Sequence, residues 1–370
     1  MKEKTSISLC MIVKNEEELI GKCLNSVHQL VDEIIIVDTG STDRTKEICK
    51  RYSVKLFDFT WTESFAEARN FALDKATGQW ILCLDADEEI VLKSFEELEK
   101  VLECNEKNIL LLPLINYYGK LPPDKNRSYL FAGQRLFRNY RGLKFIGGIH
   151  EHLNIKDIKR EVADEIITHI EIHHFGYMDS IVTSKKKHER NLQMLQTEKR
   201  HPNYSPWIDY HIASEYYRLK QYEEAFREVN FSIMRFLKKQ QLPPSLLYKL
   251  KYDILVTTES FDGAWPGIEK AIALYPKYVD LHFYKGIILF KKRMFEEAIL
   301  VFKYCIELGE THIQHLTLVG CGGYEAWYFI GKCYENLSNY ERAVNAYSNT
   351  LSLYKDHADA KTRLSELLKN

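Results

Sequence analysis

No GxGxxG follows the first apolar segment of this chain, and no GxxxxGK[ST] occurs anywhere in it. The first absence argues against a Rossmann dinucleotide site, the second against a P-loop, so any phosphate has to be held by other means. An apolar stretch long enough for a secretory leader or a membrane span is missing too. Met1-Lys2-Glu3-Lys4-Thr5 leads straight into a short strand-like run. Charge of one sign is also lacking: 51 basic residues face 52 acidic ones, net −1. That balance argues against a nucleic-acid partner and a polybasic membrane patch, and Lys185-Lys186-Lys187 reads as a solvated helix face. Cysteine is present, but none of Cys10, Cys23, Cys49, Cys83, Cys104, Cys305, Cys321 and Cys333 forms a CxxC pair. Several lie inside apolar runs, as reduced buried thiols of a cytoplasmic protein do, and the spacing argues against a zinc site.

The 370 residues, 45% of them hydrophobic, are enough for two domains with cores of their own. The first half alternates short apolar runs with amphipathic segments. Ile7 to Val13, Glu33 to Val37, Val54 to Phe57 and Trp80 to Leu84 read as strands. Between them, Glu16 to Val27, Asp43 to Tyr52 and Ser64 to Ala76 have helical spacing, with Ser41 or Thr42 as N-cap of the second. This order predicts a parallel sheet covered by helices on both faces, because strands buried on both sides read as continuous apolar runs. Ile109 to Ile115, Tyr129 to Arg138 and Ile166 to His174 are expected to extend the sheet with antiparallel strands.

From about residue 180 the chain reads as helical and repetitive. Tyr222, Phe261, Phe295 and Tyr340 each stand three residues before an alanine. Ala213, Gly286 and Gly331 stand twelve residues before Ala225, Ala298 and Ala343. The spacing from Ala264 to Ala298 is 34, the tetratricopeptide period, while the other two spacings, 39 and 45, call for insertions at Gln240–Pro244 and Gly309–Gly323. Small residues let paired helices approach and aromatics fill the space between them. A generic helical bundle is the alternative, and both readings give an all-α second domain.

Ligands of open α/β sheets sit beyond the carboxyl ends of the strands. Here those ends read Val13-Lys14-Asn15-Glu16, Asp38-Thr39-Gly40-Ser41 and Asp85-Ala86-Asp87. Any one aspartate could be a helix cap or turn residue. Together, with Arg69 supplied just before the fourth strand, they suit a hard divalent cation carrying a diphosphate.

Ser8–Glu17, Val37–Asp43, Phe65–Asn70 and Asp85–Glu88, in that order and spacing, resemble family 2 glycosyltransferases of the GT-A fold. Arg135–Asn139, Gly148–Glu151 and His174–Tyr177 resemble the branch containing sublancin-type peptide S-glycosyltransferases, which also carry C-terminal helical repeats. The resemblance implies an α/β GT-A domain over 1–178 and an all-α tetratricopeptide-like domain over 179–370, with a linker helix at about 179–200 and repeats from about 205. It implies that Val13, Lys14, Asn15, Glu16 and Asp38 line a uridine pocket and that Arg69 contacts the nucleotide. Asp85, Ala86 and Asp87 would form the DxD motif for donor sugar, ribose and a Mn²⁺ or Mg²⁺ ion, with Asp87 on the metal. The family often has a second aspartate beside Asp38, and this chain has Thr39 there.

Displacing a nucleoside diphosphate from an anomeric carbon needs its developing charge neutralised and the acceptor deprotonated. Glu151, in Gly147-Gly148-Ile149-His150-Glu151-His152, is assigned as the base, with His150 as the other candidate for that role. The alternative for Glu151 is a structural carboxylate paired with an arginine. His174 is either a strand histidine or, from its His-x-Gly-Tyr context, a further metal ligand. The expected function is metal-dependent, inverting transfer of a hexose or N-acetylhexosamine from a UDP-sugar. A peptide or protein acceptor would be held partly by the repeats, and a homodimer is compatible with this reading. A cell-envelope glycan precursor is the alternative acceptor, and a catalytically inactive repeat-based binding protein is the alternative from another class.

Overall fold

The computed structural model describes residues 5–104, 108–155, 164–179, 181 and 187–369, so Lys185 and Lys186 lie outside it. The chain packs as two units. Met1–Pro123 and Phe131–Met194 form the first, Asp124–Leu130 and Leu195–Asn370 the second. The boundary read from sequence at residue 178 falls inside the first unit.

The first unit opens as β1 (Ile7–Val13), α1 (Ile20–Val27), β2 (Glu33–Asp38), α2 (Thr45–Cys49), β3 (Lys55–Asp58), α3 (Phe65–Leu73) and β4 (Trp80–Cys83). The chain continues with β5 (Glu88–Leu92), α4 (Phe95–Glu103), β6 (Ile109–Gly119), β7 (Ser128–Arg138, in the first unit from Phe131 on), β8 (Phe145–Ile146), β9 (His152–Leu153), β10 (Asp164–Ile166) and β11 (Ile170–Met178). The sheet order is β3-β2-β1-β4-β7-β6-β11-β5. β1 lies between β2 and β4 and is parallel to both, and β3 is parallel to β2. Alternate residues of these strands feed two cores. Leu9, Met11, Ile36 and Leu82 pack with Ile20 and Leu24 of α1, while Cys10, Ile35, Val37 and Ile81 pack with Ala66 and Ala72 of α3. Burial on both faces is why these strands lack a polar alternation.

The later strands differ from expectation in extent and in polarity: the expected strand Ile166 to His174 is split into β10 and β11. β7 is antiparallel to β4, and β11 to β5, but β11 runs parallel to β6. The chain leaves the sheet after β7 through β8 and β9, and such a crossover lets β11 return with the polarity of β6. β5, α4 and the β8–β9 pair were not expected from the sequence; the last is too short to carry a periodicity. Asp43 to Tyr52 is helical only over Thr45–Cys49, and neither Ser41 nor Thr42 caps it. Ser41 Oγ instead accepts the Asn15 N–H at 2.9 Å.

In the second unit each of the four repeat aromatics opens a helix: Tyr222–Lys238, Phe261–Ala264, Phe295–Leu308 and Tyr340–Leu353. Their partners are Pro206–Arg218, Ser245–Thr257, Val279–Lys291 and Tyr324–Asn336. The small residues have a concrete role. A Cβ on Gly286 would lie 2.5 Å from Phe302, and one on Gly331 would lie 2.6 Å from Tyr347. Phe302 and Tyr347 are themselves buried. The second repeat is broken: its helix stops at Ala264 and resumes over Ile268–Leu274. Pro266, between them, has no N–H to continue the first segment. Among the described residues no helix is long and apolar enough to cross a membrane.

Gly331→Val is expected to destabilise the second unit by about 1–3 kcal/mol, because the added methyls meet the ring of fully buried Tyr347. Thermal unfolding measures this, and a wild-type melting temperature would mean that the ring can be accommodated elsewhere.

Candidate active site

Strand order puts the carboxyl ends of β2, β1 and β4 side by side. With adjacent strands about 4.8 Å apart, the ends of β2 and β4 lie about 10 Å from each other.

At the β2 end, Asp38 is 1% exposed. Its Oδ1 accepts the Gly40 and Ser41 N–H groups at 3.0 and 2.8 Å, and Lys46 Nζ lies 3.6 Å away. Its Oδ2 is buried without a hydrogen-bond partner. A buried carboxylate oxygen in that condition is costly unless a donor arrives, so Asp38 is suited to accept an N–H or O–H from a ligand. The β1 end is stitched to the same loop. Asn15, at φ +56°, accepts the Thr42 N–H through Oδ1 at 2.8 Å, and the Glu16 N–H donates to Thr45 Oγ1 at 2.7 Å. Val13 is buried, with its carbonyl accepting the Thr39 N–H at 2.9 Å, while Lys14 and Asn15 are exposed.

At the β4 end, α3 organises the site. Its N-terminus is capped by Ser64, whose Oγ accepts the Glu67 N–H. Asn70 holds the β8–β9 hairpin through the Phe145 carbonyl at 2.9 Å and the Phe145 N–H at 2.8 Å, and the Phe65 N–H donates to the Gly148 carbonyl at 2.8 Å. The hairpin turn therefore carries Glu151 to Arg69 of the same helix. Arg69 Nε donates to Glu151 Oε1, and its Nη2 to Asp85 Oδ1 at 2.7 Å. Asp85 and Glu151, the latter 82 positions from Arg69 in the chain, thus meet across one guanidinium. Arg69 Nη1 is buried without a partner, which leaves its NH₂ group for an incoming oxygen. His150 is exposed, at φ +53° in the same turn.

Arg135 of β7 approaches Asp85 from the other side. Its Nη2 lies 3.3 Å from Asp85 Oδ2 and 2.6 Å from Glu88 Oε1. Burial by itself would raise the Asp85 carboxyl, but the Arg69 and Arg135 guanidiniums overcome it and hold Asp85 well below the usual carboxylate range. For fully buried Glu88, burial and the Asp85 charge raise the carboxyl, while Arg135 and the Asp85 N–H, one on each oxygen, favour the ionised form. Ala86 packs into the apolar core under the sheet and is 5% exposed, so its side chain does not line the site.

Asp87, 8% exposed, faces His174 of β11, with Oδ1 3.6 Å from Nε2. His174 Nδ1 is 2.8 Å from Asn116 Oδ1. With that oxygen accepting, the proton sits on Nδ1 and Nε2 presents a lone pair, the arrangement of a metal-binding imidazole with an outer partner. Gly176 closes this corner: a Cβ there would lie 2.5 Å from His174 Nε2 and 2.6 Å from Asp87 Oδ2. Among the described residues no cluster of three or more His, Cys, Asp or Glu side chains could hold a metal. Asp87 and His174 fit a divalent cation such as Mn²⁺ or Mg²⁺, which would complete its shell with oxygens from outside the protein, since such ions are commonly bound by few protein groups plus phosphates. Gly176→Ala is expected to weaken the apparent Mn²⁺ affinity about tenfold or more, read as the metal dependence of donor turnover, without loss of fold. Wild-type metal dependence would place the ion elsewhere.

The sequence reading assigned no role to Arg135, Glu88, Asn116 or Gly176. Asn116 had a signal, as a polar residue inside the apolar run of β6. Glu88 and Arg135 had none beyond lying in motifs already quoted.

The mixed sheet, with polar residues beyond the carboxyl ends of its parallel strands, has the GT-A architecture. Residues 8–178 match the family model for glycosyl transferase family 2. The chain is 33% identical, over 67% of its length and 60% of the relative's, to a TPR repeat-containing protein of Synechococcus elongatus. It is 28% identical, over 77% of its length and 67% of the relative's, to the SPbeta prophage-derived glycosyltransferase SunS of Bacillus subtilis. It therefore spans about three fifths to two thirds of the length of these relatives. A crystal structure of S. aureus TarS residues 1–349 aligns over 81% of this chain and 91% of that one, at 15% identity and a TM-score of 0.37.

Proposed function

We propose that the chain is a metal-dependent, inverting glycosyltransferase that moves a hexose or N-acetylhexosamine from a UDP-sugar to a peptide or protein side chain. The observation that carries this reading is the Arg69 bridge, which gathers Asp85 and the candidate base Glu151 at one strand end. The unpartnered Asp38 Oδ2 and Arg69 Nη1 supply an acceptor for a nucleoside donor group and a donor for a nucleotide oxygen. Around the DxD turn, Asp85, Asp87 and Glu151 outweigh Arg69 and Arg135 in charge. A diphosphate would be repelled there unless a divalent cation came with it.

Asp87 and His174 would hold that cation, which when bound supplies Lewis-acid stabilisation of the leaving diphosphate. In this reading Asp85, held by two guanidiniums, stays ionised and accepts hydrogen bonds from sugar or ribose hydroxyls. Arg69 positions Glu151, whose carboxylate takes the proton of the acceptor hydroxyl or thiol as it attacks the anomeric carbon. The free cysteines, all but Cys104 buried, support a reducing, cytoplasmic setting. The helical repeats are the acceptor-binding part in this proposal. The Synechococcus relative is named a TPR repeat-containing protein.

The test is donor hydrolysis and transfer: UDP release from a panel of UDP-sugars with Mn²⁺, with Asp87→Ala as control. No release from any donor, with or without peptide acceptors, would overturn the proposal in favour of a binding protein.

A further inference from the structure

The turn that carries the DxD aspartates is fixed from beneath by a residue that cannot reach a substrate. Glu88 is fully buried, whereas the Asp85 side chain is 35% exposed. Glu88 Oε2 accepts the backbone N–H of Asp85 at 2.9 Å, and its own N–H donates to the Asp85 carbonyl at 3.1 Å. Its Oε1 accepts Arg135 Nη2 at 2.6 Å, and the same nitrogen lies 3.3 Å from Asp85 Oδ2. One residue and its arginine therefore engage Asp85 at its N–H, its carbonyl and its carboxylate.

We infer that Glu88 is a positioning residue: together with Arg135 it sets the orientation of Asp85 and of the whole Asp85-Ala86-Asp87 turn. The inference rests on the transferase reading above for its kinetic consequence, but not for its geometric one. A carboxylate is needed because both oxygens accept from N–H groups. An amide of the same shape offers one oxygen and one NH₂, so one of the two contacts becomes donor against donor. A buried contact of that kind is lost rather than weakened. Arg69 Nη2 also holds Asp85 Oδ1, at 2.7 Å, but leaves its N–H, its carbonyl and Oδ2 to Glu88 and Arg135, and two backbone-side anchors do not replace them. The Asp87 carbonyl accepts the Phe175 N–H at 3.0 Å, and Cys23 Sγ lies 3.5 Å from the Asp85 carbonyl. Neither reaches the Asp85 side chain or its N–H.

The experiment compares the wild-type full-length chain with Glu88→Gln and Glu88→Asp. Steady-state UDP release with Mn²⁺ is measured across donor concentration, beside thermal melting and a crystal structure of each variant. Glu88→Gln is expected to lower kcat about 10- to 100-fold, as small misplacements at a reacting centre do, with KM for the donor changed less than about threefold. Glu88→Asp, which keeps both acceptor oxygens, is expected to recover part of the loss. In the Glu88→Gln crystal structure the Asp85 carboxylate should have left Arg135. A wild-type kcat, a loss that only tracks the folded fraction, or an unmoved Asp85 would overturn the inference. If the wild-type chain releases no UDP, the transferase reading fails. The crystal structure of Glu88→Gln then still decides whether Glu88 sets Asp85.

Discussion

Replacing Asp87 with alanine is expected to cut UDP release roughly a thousandfold or more, because a bound divalent ion supplies several kcal/mol of charge stabilisation and each 1.4 kcal/mol is a factor of ten. Among the described residues Asp87 and His174 are the side chains proposed to hold the ion, and the variant would leave it His174 as its one proposed protein ligand. A lone imidazole is a poor holder for a hard cation that prefers oxygen. The fold should survive, since the Asp87 backbone keeps its bond from the Phe175 N–H at 3.0 Å. Removing the metal from the wild-type protein with a chelator should reproduce the loss, and added Mn²⁺ should restore the wild type but not the variant. Undiminished release by Asp87→Ala would mean that the diphosphate is neutralised by protein groups alone.

Glu151→Gln is expected to lower transfer by about a hundred- to ten-thousandfold, the usual range for losing a general base. The geometry makes this substitution informative. Glu151 Oε1 accepts from Arg69 Nε, and a glutamine oxygen can accept the same N–H, so the hairpin turn and the Arg69–Asp85 contact stay in place. Only the proton-accepting capacity is removed. Binding of UDP, measured by calorimetry, should therefore remain close to wild type while transfer to acceptor collapses. Retained turnover would reassign Glu151 as a structural partner of Arg69 and move the base role to His150, which sits one residue earlier in the same turn.

The strand ends were legible because parallel strands buried on both faces are continuous apolar runs, and the first polar residues after them had to be at the sheet edge. Asp38, Asp85 and Asp87 were found in this way. The repeats were legible because a small residue and an aromatic recur at fixed offsets, and Phe302 and Tyr347 against Gly286 and Gly331 give the packing reason. The polarity of β11 was not legible, since an apolar run carries no sign of its direction.

The sequence by itself determined a parallel α/β half, a helical repeat half and a set of candidate polar residues at strand ends. These follow from periodicity and from local chemistry, which span only a few neighbouring residues. Only the tertiary structure decided which of the candidates meet. It brought Glu151 to Arg69, Arg135 to Asp85 and Glu88, and His174 beside Asp87. Those pairings depend on the order of strands in the sheet and on one hairpin held by α3, and contacts between segments far apart in the chain leave no periodic trace in it.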